Sequence, residues 1–403
     1  MRICLVSQEY PPETGWGGIG TYTYELAHGL ASAGHDVHVL SLSLDRADHT
    51  SSDGKVTVHR LATLRLRIGL WRMGLGMAGA TMLRSLTVAR ALRGLHRVHR
   101  IDLVEAPEYS AEGFILSWLR PSGVPLHVRL HTPYLIAAAE NLKPIDLNAK
   151  LIDWMEKIAV RRADIISSPT RSLAELSALR VGLDDRIRVL PHPIDVERFS
   201  PRQVSADPDV KTVLYVGRLE RLKGVGVLAA SIPSILEKHP AAHFRFIGAD
   251  TLTGPQQSSM KAFLLNTLPP SARSQVEVLN PVDRTRLPSY LSQADLCVFP
   301  SYHENFPYAL LEAMACGRAV VGSRTGGMVE IIEDGVSGLL AEPGDSKSLT
   351  EAILKALGDP LLRITLGEQA RTRALTSYAT TIIVPQMVAL YRHALRGVDR
   401  KRG

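Results

Sequence analysis

The sequence predicts an α/β protein built from two doubly wound domains. Short runs rich in Val, Ile and Leu alternate with helical patterns of ten or more residues, and the alternation occurs in two sets. A segment without periodicity separates the sets. The first set places strands at Ile3–Ser7, Val37–Leu42, Leu103–Glu105, Leu126–Leu130 and Ile165–Ser167. The second places them at Val213–Val216, His243–Ile247, Val276–Leu279, Leu296–Phe299 and Ala319–Gly322. The break is expected within Leu190–Asp209, where PHPIDVERFSPRQVSADPD holds four prolines. The division is therefore 1–195 and 196–380, followed by a last helix in 381–403. Periodicity alone does not say on which domain that helix packs.

With 403 residues, each half is long enough to bury its own core. An apolar fraction of 45% and a charged fraction of 22% are ordinary for globular chains and argue against disorder. The net charge of +7 favours an anionic partner: a nucleotide, a nucleic acid or an acidic membrane surface. Cys4, Cys297 and Cys316 lie in apolar runs without metal-ligand spacing and read as reduced core residues of a cytoplasmic protein. The opening MRICLVS enters a strand pattern rather than a signal peptide. The longest apolar stretch, Ile68–Leu83, is interrupted by Arg72 and glycines and makes a poor membrane span.

Lys55–Arg100 carries about ten basic residues and no acidic one. Arg65, Arg67, Arg72, Arg84, Arg90, Arg93, Arg97 and Arg100 are interleaved with apolar residues, among them Trp71, at near-helical spacing. Such a stretch is either a solvated face with aliphatic arginine stems or a basic amphipathic surface for anionic lipid.

The first strand runs into QEYPPETGWGGIG, in which Gly15, Gly17, Gly18 and Gly20 precede an amphipathic helix. Glycines there let backbone amides approach a phosphate or sugar, although a tight turn alone also uses them. A dinucleotide fingerprint needs its first glycine almost directly after the strand, so the later Gly15 disfavours NAD. His131 follows LHVRL and lies at the C-terminal edge of the sheet, where doubly wound folds bind ligands. It suits a sugar hydroxyl contact or a structural role.

In the second half, TVLYV ends in GRLERLKGVGVL, which sets Arg218 and Lys223 in a loop before a helix starting near Gly224. Two cations at a helix N-terminus suit a diphosphate, each charge pair at about 4 Å contributing on the order of 4 kcal/mol before desolvation, although a solvated loop also carries such pairs. PSYHENFPYALLEAMACG follows. Here Glu304 lies in a loop, Asn305 is a candidate cap, Pro307 suits the first helical turn and Gly317 ends the helix. Glu312 sits among Leu310, Leu311, Ala313 and Met314, where a carboxylate needs a partner. Two ribose hydroxyls or a core arginine both satisfy it. SRTGGMVEII adds Gly326 and Gly327 before another helix, with Glu330 beyond.

These segments together resemble the GT-B glycosyltransferases of family 4. The resemblance runs from GWGGIG through HTPY and VGRLERLKG to ENFPYALLEAMACG and GGMVEIIEDGVSGLL. It implies two Rossmann-like domains facing across a cleft, and a metal-independent, anomer-retaining transfer of a hexosyl group from a nucleoside diphosphate sugar. It further implies a donor on the second domain, an acceptor entering through the first, and a final helix that crosses back onto the first domain. By the same resemblance Gly17 and Gly18 lie near the diphosphate and His131 faces the donor sugar. Arg218 and Lys223 hold the diphosphate, Glu304 the sugar and Glu312 the ribose, and backbone groups at Phe306 and Pro307 face the donor sugar. Asn305 and Gly327, in the adjoining loop and turn, are further candidates for donor contacts. Two departures stand out. Asn305-Phe306-Pro307 replaces a common Ser-Phe-Gly, and Pro191-His192-Pro193 replaces a common Pro-Asn-Gly.

The resulting expectation is a glycosyltransferase with no cofactor and no metal. Its partners are a nucleoside diphosphate sugar, an acceptor of open class and an anionic membrane surface through 55–100; no nucleic acid partner is expected. The rivals are a GT-B sugar-nucleotide epimerase, a retaining disaccharide phosphorylase, and a non-catalytic module that binds sugar nucleotide or membrane.

Overall fold

The structure, a computed structural model, describes residues 1–45, 47–62, 76–140, 145–183, 186–203 and 210–400. Contacts divide the chain into two compact units: Met1–Pro193 together with Thr380–Gly403, and Ile194–Ala379.

In the first unit the described strands are β1 Arg2–Val6, β2 Asp36–Leu42, β3 His49–Asp53, β4 Val56–Leu61, β5 Leu103–Pro107, β6 Leu126–Arg129, β7 Ile165–Ser168 and β8 Ile187–Val189. They form one sheet in the order β3-β4-β2-β1-β5-β6-β7-β8. Every neighbouring pair is parallel except β3 with β4. Ile3 pairs with both Val37 and Leu103, and all three are fully buried, as expected for a parallel sheet covered on both faces. The helices Gly18–Ser32 and Thr380–Arg400 pack together in this unit. A Cβ on Gly29 would approach Val384 Cγ2 to 2.6 Å, so the bare glycine permits that close crossing.

Strands β3, β4 and β8 lie outside the strands expected from the sequence. The β3–β4 pair is an antiparallel hairpin turned at Gly54, whose φ is +58°, and the exposed polar residues of β3 hide it from an apolar count. The hairpin also breaks up the basic stretch. Arg60 is buried in β4, with Nε 3.1 Å from Glu13 and Nη2 donating to the Tyr10 carbonyl at 2.7 Å. Arg84 turns inward to Glu112 and Ser110. Arg90, Arg93, Arg97 and Arg100 remain exposed on or just after the helix Gly76–His99, while Arg65, Arg67, Trp71 and Arg72 lie outside the described residues.

The second unit holds β9 Lys211–Val216, β10 Ala242–Ile247, β11 Val276–Leu279, β12 Leu296–Phe299, β13 Ala319–Ser323 and β14 Leu339–Ala341. These described strands make an all-parallel sheet in the order β11-β10-β9-β12-β13-β14. The three-residue β14 is too short to have registered in the sequence. Val213, Phe244, Phe246, Val298 and Val321 form its core with Leu228 and Ile232 of the helix Val225–Lys238 and Ile353 of Ser346–Gly358. Asp345 caps the last of these helices by accepting from Lys347 and Ser348 N–H, a contribution of about 1 kcal/mol.

Both sheets reverse strand order beside their first strand, at β1/β5 and at β9/β12. Ligands of doubly wound sheets bind outside the C-terminal ends of the strands at such points. Cys4, Cys297 and Cys316 are free and buried. No described helix is long and apolar enough to cross a membrane.

Candidate active site

In the second unit, three loops leave the C-terminal ends of β9, β12 and β13 and meet at Glu304. Gly224 makes the first approach possible: its φ is +68°, and a Cβ there would lie 1.9 Å from the Pro300 carbonyl oxygen. The Tyr302 N–H then donates to the Leu222 carbonyl at 2.9 Å and ties the β9 loop to the β12 loop. Gly326, with φ +48°, allows the β13 loop the same intimacy, and the Gly327 N–H donates to the Glu304 carbonyl at 2.7 Å. The Glu304 carboxylate takes Lys223 Nζ at 2.5 Å and the Ser301 hydroxyl at 3.1 Å.

Arg218 is placed differently. Its guanidinium is well exposed and meets the buried Glu220 at 2.9 Å, so each of the two expected diphosphate cations already has its own carboxylate. The expected helix start is at Val225, with Gly224 as N-cap. Asn305 does not cap the next helix, which spans Tyr308–Ala315 with Pro307 at N-cap and no side-chain cap; its Oδ1 instead lies 3.3 Å from His303 Nε2. The Phe306 ring makes an edge contact with Tyr378, and Gly317 takes φ +70° after the helix. The Glu330 carbonyl accepts from Arg373 Nη2 at 2.9 Å.

Glu312 has the partner its surroundings demand. Arg284 Nη2 lies 3.0 Å from its Oε1, with both side chains buried, and the guanidinium stacks 5.2 Å from the Phe199 ring centre. Burial pushes the Glu312 carboxyl up, and Arg284 opposes that shift. The core arginine is thus one partner of Glu312, engaged through Oε1. Arg284 sits in the polar loop NPVDRTR after β11, where nothing in the sequence marks it.

In the first unit, His131 follows β6 and is buried, and its Nε2 has no hydrogen-bond partner among the described residues. Its ring lies 5.6 Å from those of Tyr22 and His192. Burial first, and the neighbouring Arg129 second, hold the imidazole down to about 3, against a smaller pull from Glu105. The ring is therefore neutral near pH 7 and keeps one donor and one acceptor nitrogen. Beneath it, Arg129 Nη2 donates to the Leu190 carbonyl at 2.7 Å and meets His192 Nδ1 at 2.8 Å. Glu105 accepts from the Tyr22 hydroxyl at 2.7 Å, pairs with His127 at 2.7 Å and accepts from the Tyr391 hydroxyl of the final helix.

The loops around His131 are held by a buried ionic cluster that sequence reading missed. Arg180 meets Glu108 at 2.6 Å, Glu156 at 2.5 Å and Asp153 at 2.7 Å. Glu156 also accepts from the backbone N–H groups of Ser110 at 2.9 Å and Tyr134 at 3.1 Å. The loops after β5 and β6 are thus fixed to one helix.

Gly17 caps the helix Gly18–Ser32. A Cβ there would fall 1.9 Å from Glu9 Oε2, so the Glu9 carboxylate lies against the helix N-terminus where an anionic ligand is expected. Gly18 has open space beside its Cα. Among the described residues, no group of three or more His, Cys, Asp and Glu side chains is arranged to hold a metal ion.

Comparison with known proteins extends over nearly the whole chain. The family described as "Glycosyl transferases group 1" matches residues 196–373, and the "Glycosyl transferase 4-like domain" matches 17–193. A glycogen synthase of Mycobacterium tuberculosis is 29% identical, with 98% of this chain and 96% of the relative aligned. A D-inositol 3-phosphate glycosyltransferase of Pseudarthrobacter chlorophenolicus is 27% identical over 93% of this chain and 91% of the relative. Among solved structures, the sucrose-phosphate synthase of Thermosynechococcus elongatus superposes with a TM-score of 0.78 at 23% identity, covering 98% of this chain and 99% of that one. HepE of Anabaena in complex with UDP-glucose gives 0.71 at 18% identity, covering 96% and 98%. The paired sheets, the loops gathered on Glu304 and these matches agree: the chain belongs to the GT-B glycosyltransferases of family 4.

Proposed function

We propose that the chain transfers a hexosyl group from a nucleoside diphosphate sugar to an acceptor hydroxyl, with retention at the anomeric carbon and without a metal. The observation that carries this reading is the gathering of the three loops on Glu304, with Lys223 against its carboxylate, at the point where the second sheet reverses order. UDP and UDP-glucose are bound in the HepE structures, which supports a donor of the same class here.

In this reading the donor diphosphate draws Lys223 away from Glu304 and Arg218 away from Glu220. The freed Glu304 carboxylate accepts hydroxyls of the sugar. Arg284 engages one oxygen of Glu312, leaving the other to accept from ribose hydroxyls. The acceptor oxygen bonds to the anomeric carbon as the bond from that carbon to the diphosphate oxygen breaks. The acceptor proton passes to the departing diphosphate, whose charge Lys223 and Arg218 stabilise. In the first unit, neutral His131 is able to offer a hydrogen bond to a sugar hydroxyl without adding charge. Preorganised charge and proximity supply most of the roughly 8 kcal/mol that even a modest enzyme needs.

The test is a turnover assay of UDP-, GDP-, ADP- and dTDP-sugars with EDTA present, with the anomeric configuration of the glycoside product read by NMR. Transfer with retained configuration is expected. Inversion, or activity only with a divalent ion, overturns the reading. Turnover of the donor without an acceptor points to an epimerase, and a requirement for inorganic phosphate points to a phosphorylase.

A further inference from the structure

One helical face of the first unit carries large apolar side chains in solvent next to arginines. The helices Gly76–His99, Leu116–Leu119 and Leu147–Arg161 pack against one another on it. Leu147 is 59% exposed, Trp118 57%, Trp154 54% and Met82 52%, with Leu119 and Met77 also exposed. Soluble surfaces scatter such residues singly; here they are joined.

Side-chain contacts trace the continuity. Arg93 Nε donates to the Leu119 carbonyl at 2.8 Å, and the Arg162 guanidinium stacks 3.7 Å from the ring centre of Trp118. Trp154 lies 5.6 Å from Phe114, and the Ala78 N–H donates to Asn148 Oδ1 at 3.1 Å, joining the starts of the two long helices. Met82, Arg90, Arg93 and Arg97 fall on one exposed stripe of the first helix, and Leu147, Lys150, Trp154 and Arg161 on one stripe of the third. Two of the carboxylates nearby are already neutralised, Asp153 by Arg180 and Lys157 and Asp164 by Arg120. A cavity of about 380 Å³ lined by Trp118, Arg120 and Arg162 opens beside Val124 and Pro125, just before β6 and so at the sheet edge opposite His131.

We propose that this face docks the protein on an anionic lipid bilayer, with Trp118 and Trp154 in the headgroup layer and Arg90, Arg93, Arg97 and Arg162 over lipid phosphates. Tryptophan, with its amphipathic ring, is enriched at that depth, and each nearby cation is attracted by the negative surface potential. The basic stretch read from the sequence supplies only the first helix; the tryptophans come from the other two. The inference does not depend on the donor or on transfer.

The test is co-sedimentation of the full chain with vesicles of phosphatidylcholine alone and of equal parts phosphatidylcholine and phosphatidylglycerol. Binding is expected only to the anionic vesicles and should weaken as salt rises. Arg93→Glu with Arg162→Glu, and separately Trp118→Ala with Trp154→Ala, should each weaken it by about tenfold or more while melting temperature and donor response stay as in the wild type. Equal binding to both vesicles, wild-type binding by both variants, or no binding at low salt overturns the proposal. So does sedimentation velocity showing a lipid-free dimer that these substitutions dissociate, because the face then belongs to a second copy of the chain.

Discussion

Lys223 Nζ lies 2.5 Å from Glu304 Oε1, joining the loop after β9 to the loop after β12 where the second sheet reverses its strand order. On the proposed reading a diphosphate entering there would compete with the carboxylate for the lysine, which would make donor binding and release of Glu304 one event.

Lys223→Ala should therefore lower kcat/KM for transfer by about 100-fold, in the range seen when one preorganised donor to a developing anion is removed. Arg218→Ala should cost at least about tenfold. The Lys223–Glu304 pair is partly exposed, so the fold should lose no more than about 1 kcal/mol. Steady-state kinetics beside thermal melts check both; wild-type rates in either variant remove that residue from the mechanism.

Arg284 and Glu312 form a buried pair, and removing one partner strands the other. Arg284→Ala should destabilise the second unit by about 3 kcal/mol. Arg284→Met with Glu312→Gln should recover much of the stability but not the donor affinity. Denaturant melts and donor titrations separate the two effects. Equal stability of Arg284→Ala and wild type means that the pair does not matter to the fold.

His131 is held down to about 3, burial being the larger cause, against an unfolded value of about 6.5. Its contribution to stability is thus present above about pH 6.5 and lost as pH falls toward 3. Over about pH 5 to 8 its imidazole NMR signals should not titrate, and His131→Ala should lower transfer by about 100-fold while nucleotide affinity is kept. A midpoint near 6.5 contradicts this account.

Glu112 is raised by burial from 4.5 to about 7, against the pull of Arg84 at 3.5 Å. The sign follows from linkage: its contribution is full below about pH 4.5 and is lost as pH rises through about 7, on the order of 3 kcal/mol in all. Glu112→Gln should flatten that loss in urea melts taken across the range. An unchanged slope places the titrating group elsewhere.

Much of the fold was legible because parallel strands buried on both faces read as apolar runs. The strands that escaped are polar, alternate apolar with polar residues, or are very short. His49–Asp53 is exposed and polar, and Leu339–Ala341 is three residues long. At the candidate site, residue type and position singled out Arg218, Lys223, Glu304 and Glu312, but the partners they take in the structure were not readable. Glu220 is near Arg218 in sequence, yet its buried placement depends on the turn. Arg284 and Glu312 lie on different elements, and only the tertiary fold joins them. The cluster of Arg180 with Glu108 and Glu156 was hidden for the same reason, since charged residues on separate helices and loops read as solvated until packing buries them.

The central claim, that the second unit grips a nucleoside diphosphate sugar through Lys223, Arg218, Glu304 and Glu312, is tested most directly by thermal shift of the full chain with UDP-, GDP-, ADP- and dTDP-sugars in EDTA. A donor at 100 times its dissociation constant adds about 2.7 kcal/mol, or roughly 5 to 10 °C in a unit of this size. One nucleotide series should produce that shift in the wild type, and Lys223→Ala should abolish most of it. No shift with any of the four, or an undiminished shift in Lys223→Ala, contradicts the claim.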